Sequence, residues 1–285
     1  MKHRLLSLYF IGFALSLFAF EWPQENITND SYDSYFGQNK GDLISTSLIF
    51  EEPEQIKAAE NGQVLIIMID NNDYSDFFPS TLGTSVILAH DDNLLSVYGN
   101  LDKDTIEIHE KKQIAAGEVI ANGGTSSWQS DRNNLEFQII DTKNSSAINP
   151  KVLLSRTEAE LPLTISGITL LNKNGNYFDI NTQKSYSSGL YKIYQKRNPK
   201  AAPYKTSVLI NGVLTDQISY DTVIQENSKI CLLGKKKYST SDIYPNENLQ
   251  LMGEVMLSPG RTTLGLIVTD IMGTSKQLNY NINIY

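Results

Sequence analysis

Gly83-Thr84-Ser85-Val86-Ile87-Leu88-Ala89-His90, followed after Asp91-Asp92-Asn93 by Leu94-Leu95-Ser96-Val97-Tyr98-Gly99-Asn100-Leu101, decides the fold of this chain. Two short apolar runs flank three residues of the kind that reverse the backbone, so the pair predicts two adjacent β-strands, 85–90 and 94–98. Outward from it, further runs of the same kind predict strands at 62–69, 105–109, 118–122 and 135–140, bounded by turn formers such as Glu60-Asn61-Gly62 and Asn122-Gly123-Gly124. Helical periodicity is nowhere sustained, and the stretch 21–35 is polar and predicted irregular.

The two ends of the chain differ from this middle. Lys2, His3 and Arg4 precede an uncharged run, 5–20, that is sixteen residues long and so shorter than the roughly 20 a membrane-spanning helix needs. Residues 1–20 therefore read as a secretory signal peptide, with Ala19 at the cleavage point and an uncleaved anchor as the alternative. Either places the remainder outside the cytoplasm, in the periplasm or at the cell surface. Towards the C-terminus, 157–162 is charged and ends at Pro162, a predicted linker. Strands are predicted beyond it at 163–171, 189–195, 206–210, 229–233, 249–256, 261–269 and 278–284, with a tight turn at Asn211-Gly212. That density of strands over 163–285 suggests an immunoglobulin-like β-sandwich, and the fold class is all-β throughout.

Composition narrows the function. With 24 basic against 32 acidic side chains the chain carries a net charge of −8, the wrong sign for tracking phosphates, so nucleic acid is excluded as a main partner. One cysteine, Cys231, forms no internal disulfide and no Cys-rich zinc site; in its apolar strand it reads as a small buried hydrophobe. The histidines are His3, His90 and His109, and removal of the signal leaves two.

From about Phe36 to Leu154 the chain resembles the M23 zinc metallopeptidases, the LytM-type peptidoglycan hydrolases. Asn39-Lys40-Gly41-Asp42-Leu43-Ile44 stands where that family has His-x-Gly-x-Asp-Ile, and Ile56 to Val64 matches its V-x-A-A-x-x-G-x-V hairpin. The opening hairpin matches G-x-x-V-x-I-x-H and Y-x-H-L, and Ile114 to Gly124 matches V-x-x-G-x-x-I-x-x-x-G. Asn134-Leu135-Glu136-Phe137-Gln138 occupies the His-Leu-His-Phe-Glu strand, and Asn149-Pro150 opens the closing element. The resemblance implies an M23-like antiparallel β domain over 36–156. It places the family's metal ligands on Asn39, Leu43 and Glu136 and its two catalytic histidines on Asn100 and Asn134.

None of those five positions is a histidine. Hydrolytic zinc needs three strong donors in a fixed array to bring its water to a pKa of about 7, and leucine and carboxamide do not supply them, so zinc is expected to be lost. His90 is either a residue of the groove or a strand-end histidine satisfied locally, and His109 is expected in a solvated turn. A rescued metal site from His90, Glu136 and Asp131 is the remaining catalytic alternative. Gly123-Gly124 lacks the Lys-Ser/Thr that follows a phosphate loop and reads as a turn. Lys235-Lys236-Lys237 is expected to be solvated or to touch an anionic polymer.

Three functions follow as expectations. In the first, a catalytically inactive M23-like protein binds cell-wall peptide or regulates a peptidoglycan hydrolase through its vestigial cleft. In the second, a zinc metalloendopeptidase cleaves peptidoglycan cross-links with atypical ligands. In the third, a periplasmic or surface protein acts through its immunoglobulin-like domain. The implied partners are peptidoglycan or a peptidoglycan hydrolase, no nucleic acid, and a membrane only through an uncleaved signal.

Overall fold

The computed structural model describes residues 20–41, 43–69, 80–127, 132–156, 161–199 and 203–285. Residues 1–19 of the expected signal, 157–160 of the expected linker, and Asp131 lie outside them.

The hairpin forms as its sequence predicts. Ser85–Ala89 and Leu94–Gly99 pair antiparallel with Val86 opposite Tyr98 and Leu88 opposite Ser96. The turn between them works because Asp92 and Asn93 adopt φ of 59° and 62°, left-handed values that Asp and Asn tolerate better than most residues. Gly62–Met68 joins one side of the hairpin and Asn134–Asp141 the other. In Asn134–Asp141 the alternation of a strand is explicit: Leu135, Phe137 and Ile139 are fully buried in the core, and Asn134, Glu136 and Gln138 share the opposite face.

Several elements depart from expectation, among them the unpredicted strands Ser146–Ile148 and Val213–Glu226. Residues 105–109 are not a strand: a 3-10 turn, Lys103–Thr105, is capped by the Asp102 carboxylate, which accepts from Asp104 N–H at 3.1 Å. Ile106 and Ile108 are buried from a loop, and this burial produces the alternating pattern. Of 163–171 only Thr169–Asn172 is strand. Leu48–Glu51, too short and too uniformly apolar to stand out, pairs with Asn134–Asp141 and is a core strand. The stretch 21–35 is ordered: Tyr32–Ser34 pairs with Leu48–Glu51, and the Trp22 indole N–H donates to the Ser155 carbonyl at 2.9 Å. Phe20, assigned by sequence to the end of the signal, is buried and bridges Leu154.

In the C-terminal half two sheets enclose an apolar core that includes Ile168, Leu170, Ile193, Val208, Leu257 and Leu266. One consists of Tyr177–Asp179, Thr169–Asn172, Gly189–Lys196 and Leu249–Leu257. The other contains Ser275–Ile284, Gly260–Thr269, Lys205–Ile210 and the 14-residue strand Val213–Glu226. Asn211 and Gly212, at φ 50° and 82°, close the two-residue hairpin between the last two, a conformation suited to the strand twist.

This second sheet does not stop at the C-terminal half. The far part of Val213–Glu226 pairs with Ser146–Ile148, placing Ala147 opposite Val223, and Ser146–Ile148 pairs with Asn134–Asp141. The hydrophobic core is shared too: Phe36, Ile44, Leu48 and Ile139 belong to one buried cluster with Ile218, Tyr220, Leu232 and Tyr244. Burying the edge of one half against the other leaves no open ladder at the junction.

Candidate functional site

The outer face of the central sheet carries two of the positions that the resemblance singles out, Asn134 and Glu136. Glu136 faces Gly99 on one side and Ile49 on the other; since Val86 faces Tyr98, Ser85 comes next to Gly99. Ser85, Gly99 and Glu136 thus form a row across three strands. Leu82 lies over its middle, and a Cβ on Gly99 would meet Leu82 Cδ2 at 3.1 Å. Beside this row stands the short hairpin Asn39–Lys40 and Leu43–Ile44, in which Asn39 pairs with Ile44 and Lys40 with Leu43. Burial lowers the pKa of the Lys40 ammonium, and the nearby charges of Glu136 and Asp33 offset this only in part.

The polar atoms here are incompletely paired. Glu136 Oε1 accepts from Gln138 Nε2 at 3.0 Å, but Glu136 Oε2 is buried with no hydrogen-bond partner. Asn39 Oδ1 and Ser85 Oγ are in the same condition. Stranded acceptors of this kind cost about 1–3 kcal/mol each. As a zinc site the set does not fit. Leu43 offers no donor atom and is 54% exposed, Asn39 offers a neutral carboxamide, and Lys40 already supplies a positive charge near the one carboxylate. Among the described residues no group of three or more His, Cys, Asp or Glu side chains is placed to hold a metal.

The two positions of the catalytic histidines do structural work. Asn100 is 1% exposed at φ 64° and its side chain is saturated: Nδ2 donates to the carbonyl of Asn134 at 2.8 Å and Oδ1 accepts from Ser127 N–H at 2.8 Å. Its own carbonyl accepts from Gly124 N–H at 2.7 Å, and Asn134 bridges Gly124 in turn. Both glycines of Gly123-Gly124 are needed for close approach. A Cβ would meet Asn133 Oδ1 at 2.3 Å from Gly123 and the Leu101 carbonyl carbon at 2.5 Å from Gly124. Asn100→Ala is therefore expected to cost about 3 kcal/mol, from lost hydrogen bonds and a left-handed backbone that alanine resists. Asn100→Gly should recover about 1 kcal/mol of it; urea denaturation of the two variants checks both figures.

His90 is not brought to the row of Ser85, Gly99 and Glu136. It follows Ser85–Ala89, and its N–H bonds the carbonyl of Leu94, which faces Asp141, five residues or about 16 Å along the strand from Gly99. Its ring is held between the Asn61 carbonyl at 2.8 Å and Ser96 Oγ at 2.7 Å, with Phe20 against it edge-on. Ser96 continues to the hydroxyl of Tyr98, which accepts from Ala59 N–H at 2.7 Å and whose pKa burial pushes up to about 12. His90 does line a groove of about 640 Å³ with Asn61, Gln63 and Gln113, but on that other end of the sheet. His109 is exposed in a turn, as expected.

Of the lysine run, Lys236 pairs with Glu254 at 2.8 Å and Lys237 with Glu226, so two of its three charges are met locally rather than offered to a polymer. Cys231 is buried, and its burial raises the thiol's pKa. Sequence inspection missed Lys40, Ser85 and the C-terminal tyrosines near the hairpin. No local pattern marks them, because their partners lie far away in the chain.

Residues 45–150 match the family model described as peptidase family M23. Over this stretch the N-terminal half is similar to that family. A separate family model without a descriptive name matches residues 162–285. Among curated proteins, an uncharacterized protein of Treponema pallidum is 28% identical over 123 residues, 39% of this chain and 80% of its own length. The murein hydrolase activator NlpD of Escherichia coli is 29% identical over 118 residues, 41% of this chain, which spans only 27% of that protein. Its counterpart from Salmonella typhimurium is 28% identical over 121 residues, with 42% and 28% coverage. Among solved structures, the catalytic domain of the prophage-encoded M23 protein EnpA from Enterococcus faecalis is similar at TM-score 0.35 and 20% identity, covering 45% of this chain and 94% of that one. The SpoIIIAH and SpoIIQ complex is similar at TM-score 0.37 and 18% identity, with 47% and 98% coverage.

Proposed function

We propose that this chain is an exported, non-catalytic M23-type protein whose cleft binds an extended peptide, of the cell wall or of a peptidoglycan hydrolase, and thereby regulates hydrolysis. The observation that carries this reading is the pair of buried, unpartnered acceptors Asn39 Oδ1 and Glu136 Oε2 at positions the family uses for zinc. A peptide backbone presents N–H donors at regular spacing and satisfies such atoms without a metal. The similarity to proteins named murein hydrolase activators supports the regulatory part, and the charged and apolar N-terminal run supports export. No zinc is expected in the working protein, and the hydrolytic step is assigned to the partner.

Purified full-length mature protein tests this directly. Metal analysis is expected to give far less than one zinc per chain, and digestion of purified peptidoglycan no released muropeptides; near-stoichiometric zinc with muropeptide release would overturn the proposal. Sedimentation with insoluble peptidoglycan, and the rate of an added hydrolase, report binding. Leu43→Trp narrows the cleft at an exposed position and so spares folding. It is expected to weaken whichever of the two effects the wild type shows by about tenfold, the equivalent of about 1.4 kcal/mol.

A further inference from the structure

We infer that the C-terminal half is the frame that positions the cleft, with Tyr244, Tyr220 and Arg197 as positioning residues for the hairpin Asn39–Ile44; this rests on the cleft-binding function proposed above. The hairpin has only two residues on each strand, far too few to hold a fixed pose by itself. Its base is closed by Gly37 N–H to the Ser45 carbonyl at 2.8 Å and Ser45 N–H to the Gln38 carbonyl at 2.7 Å. Two of the three residues of that base, Gly37 and Gln38, are then gripped from the other half of the chain.

The Tyr244 hydroxyl donates to the Gly37 carbonyl at 2.6 Å. The Tyr220 ring lies so close beneath Gly37 that a Cβ there would meet Tyr220 Cδ1 at 2.8 Å, and Gly37 holds φ +82°, so only glycine fits. Gln38 is 3% exposed and both ends of its amide are used: Nε2 donates to the Asn198 carbonyl at 3.0 Å, and Oε1 accepts from Arg197 Nη1 at 3.3 Å. Arg197 is itself fixed by Nε to the Glu247 carbonyl at 2.7 Å.

The grip is rigid because its hydroxyls are held from behind. Gln250 Nε2 donates to the Tyr220 hydroxyl at 3.0 Å and reaches that of Tyr244 at 3.5 Å, and Gln250 Oε1 accepts from Gln195 Nε2 at 3.1 Å. Gln195 and Gln250 face each other across Gly189–Lys196 and Leu249–Leu257, both almost wholly buried. Gln195 Oε1 is left buried without a hydrogen-bond partner, but the Gln250 amide and the two hydroxyls are paired with one another, and such pairing in a buried setting favours one arrangement. Strand Lys229–Leu233 packs on Leu43–Ile44 from the same side. The wall bearing the family's first metal element is thus placed by residues about two hundred positions later.

The test uses the full-length protein with Tyr244→Phe, which deletes one hydroxyl and keeps the ring. Tyr186→Phe serves as the matched control: it removes a comparable bond, from the Tyr186 hydroxyl to the Gln183 carbonyl at 2.6 Å, in the separate C-terminal core. Amide hydrogen exchange in residues 37–45 is expected to rise about fivefold in Tyr244→Phe and to stay unchanged in the control, even where both lose similar thermal stability. Peptidoglycan or hydrolase binding should weaken in Tyr244→Phe only. Unchanged exchange in 37–45 overturns the inference, as does faster exchange with binding fully retained. Should the wild type bind neither ligand, the proposed function fails, while the exchange result still decides whether the C-terminal half holds the hairpin.

Discussion

A chain ending at Arg156 is expected not to fold cooperatively, although residues 45–150 match the M23 family on their own. The reason is the shared core. Tyr194, Ile218, Tyr220, Val223, Leu232, Tyr238, Ile243, Tyr244 and Leu251, all buried, belong to the same cluster as the apolar residues of the N-terminal half. At about 2 kcal/mol per fully buried large side chain, loss of half of these nine contributions would match the whole net stability of about 5–15 kcal/mol typical of a folded protein. Truncation also opens Ser146–Ile148 as a bare edge, since its partner Thr222–Ile224 is gone, and an unpaired edge beside exposed apolar surface favours aggregation. Size-exclusion chromatography and near-ultraviolet circular dichroism of the fragment check this, beside the full chain, which should melt in one transition. A compact monomeric fragment with a sharp melt would show that the two halves are separable after all.

Asp216→Ala is expected to be the most damaging single substitution away from the cleft, lowering stability by about 4 kcal/mol. Asp216 is 3% exposed and accepts four hydrogen bonds. Oδ1 takes the N–H groups of Gln217 at 2.9 Å and Lys235 at 3.0 Å; Oδ2 takes the N–H of Glu254 at 2.8 Å and the hydroxyl of Tyr238. Alanine strands these donors at about 1–3 kcal/mol each, with water able to reach some of them. For a chain of this size the loss corresponds to a fall in Tm of about 10 °C. Asp216→Asn keeps an oxygen for two of the N–H groups but turns an amide toward Glu254, so about half of the loss is expected. A fall below about 1 kcal/mol for alanine, measured by urea unfolding, would mean that water replaces the carboxylate.

Much of the architecture is legible locally. The hairpin 85–98 shows its strands and its turn because β-branched runs and Asp-Asp-Asn act on neighbouring residues. Asn211-Gly212 shows its hairpin for the same reason. Thr105 to His109 misleads because alternation records only which side chains are buried, and Ile106 and Ile108 are buried from a loop bonded to Ile120 through Glu107 N–H. Leu48–Glu51 is invisible because a strand buried on both faces has no alternation to show. The five positions that the resemblance singles out are named by pattern alone, and their roles are not legible in it: Asn100 is a loop pin at φ 64°, not a side chain offered to a ligand. His90 belongs to another end of the sheet.

What the sequence by itself determined is the β character of the chain, the likeness of its N-terminal half to the M23 family and the shortage of histidines, since these depend on residue types and their near neighbours. What only the tertiary structure decided is that the two halves share one continuous sheet and one buried cluster, that Lys40 stands near Glu136, and that the Tyr244 hydroxyl bonds the Gly37 carbonyl. The physical reason is distance along the chain. The bond between Tyr244 and Gly37 joins residues 207 positions apart and that between Gln38 and Asn198 joins residues 160 apart, and no local pattern records which side chains packing will bring together.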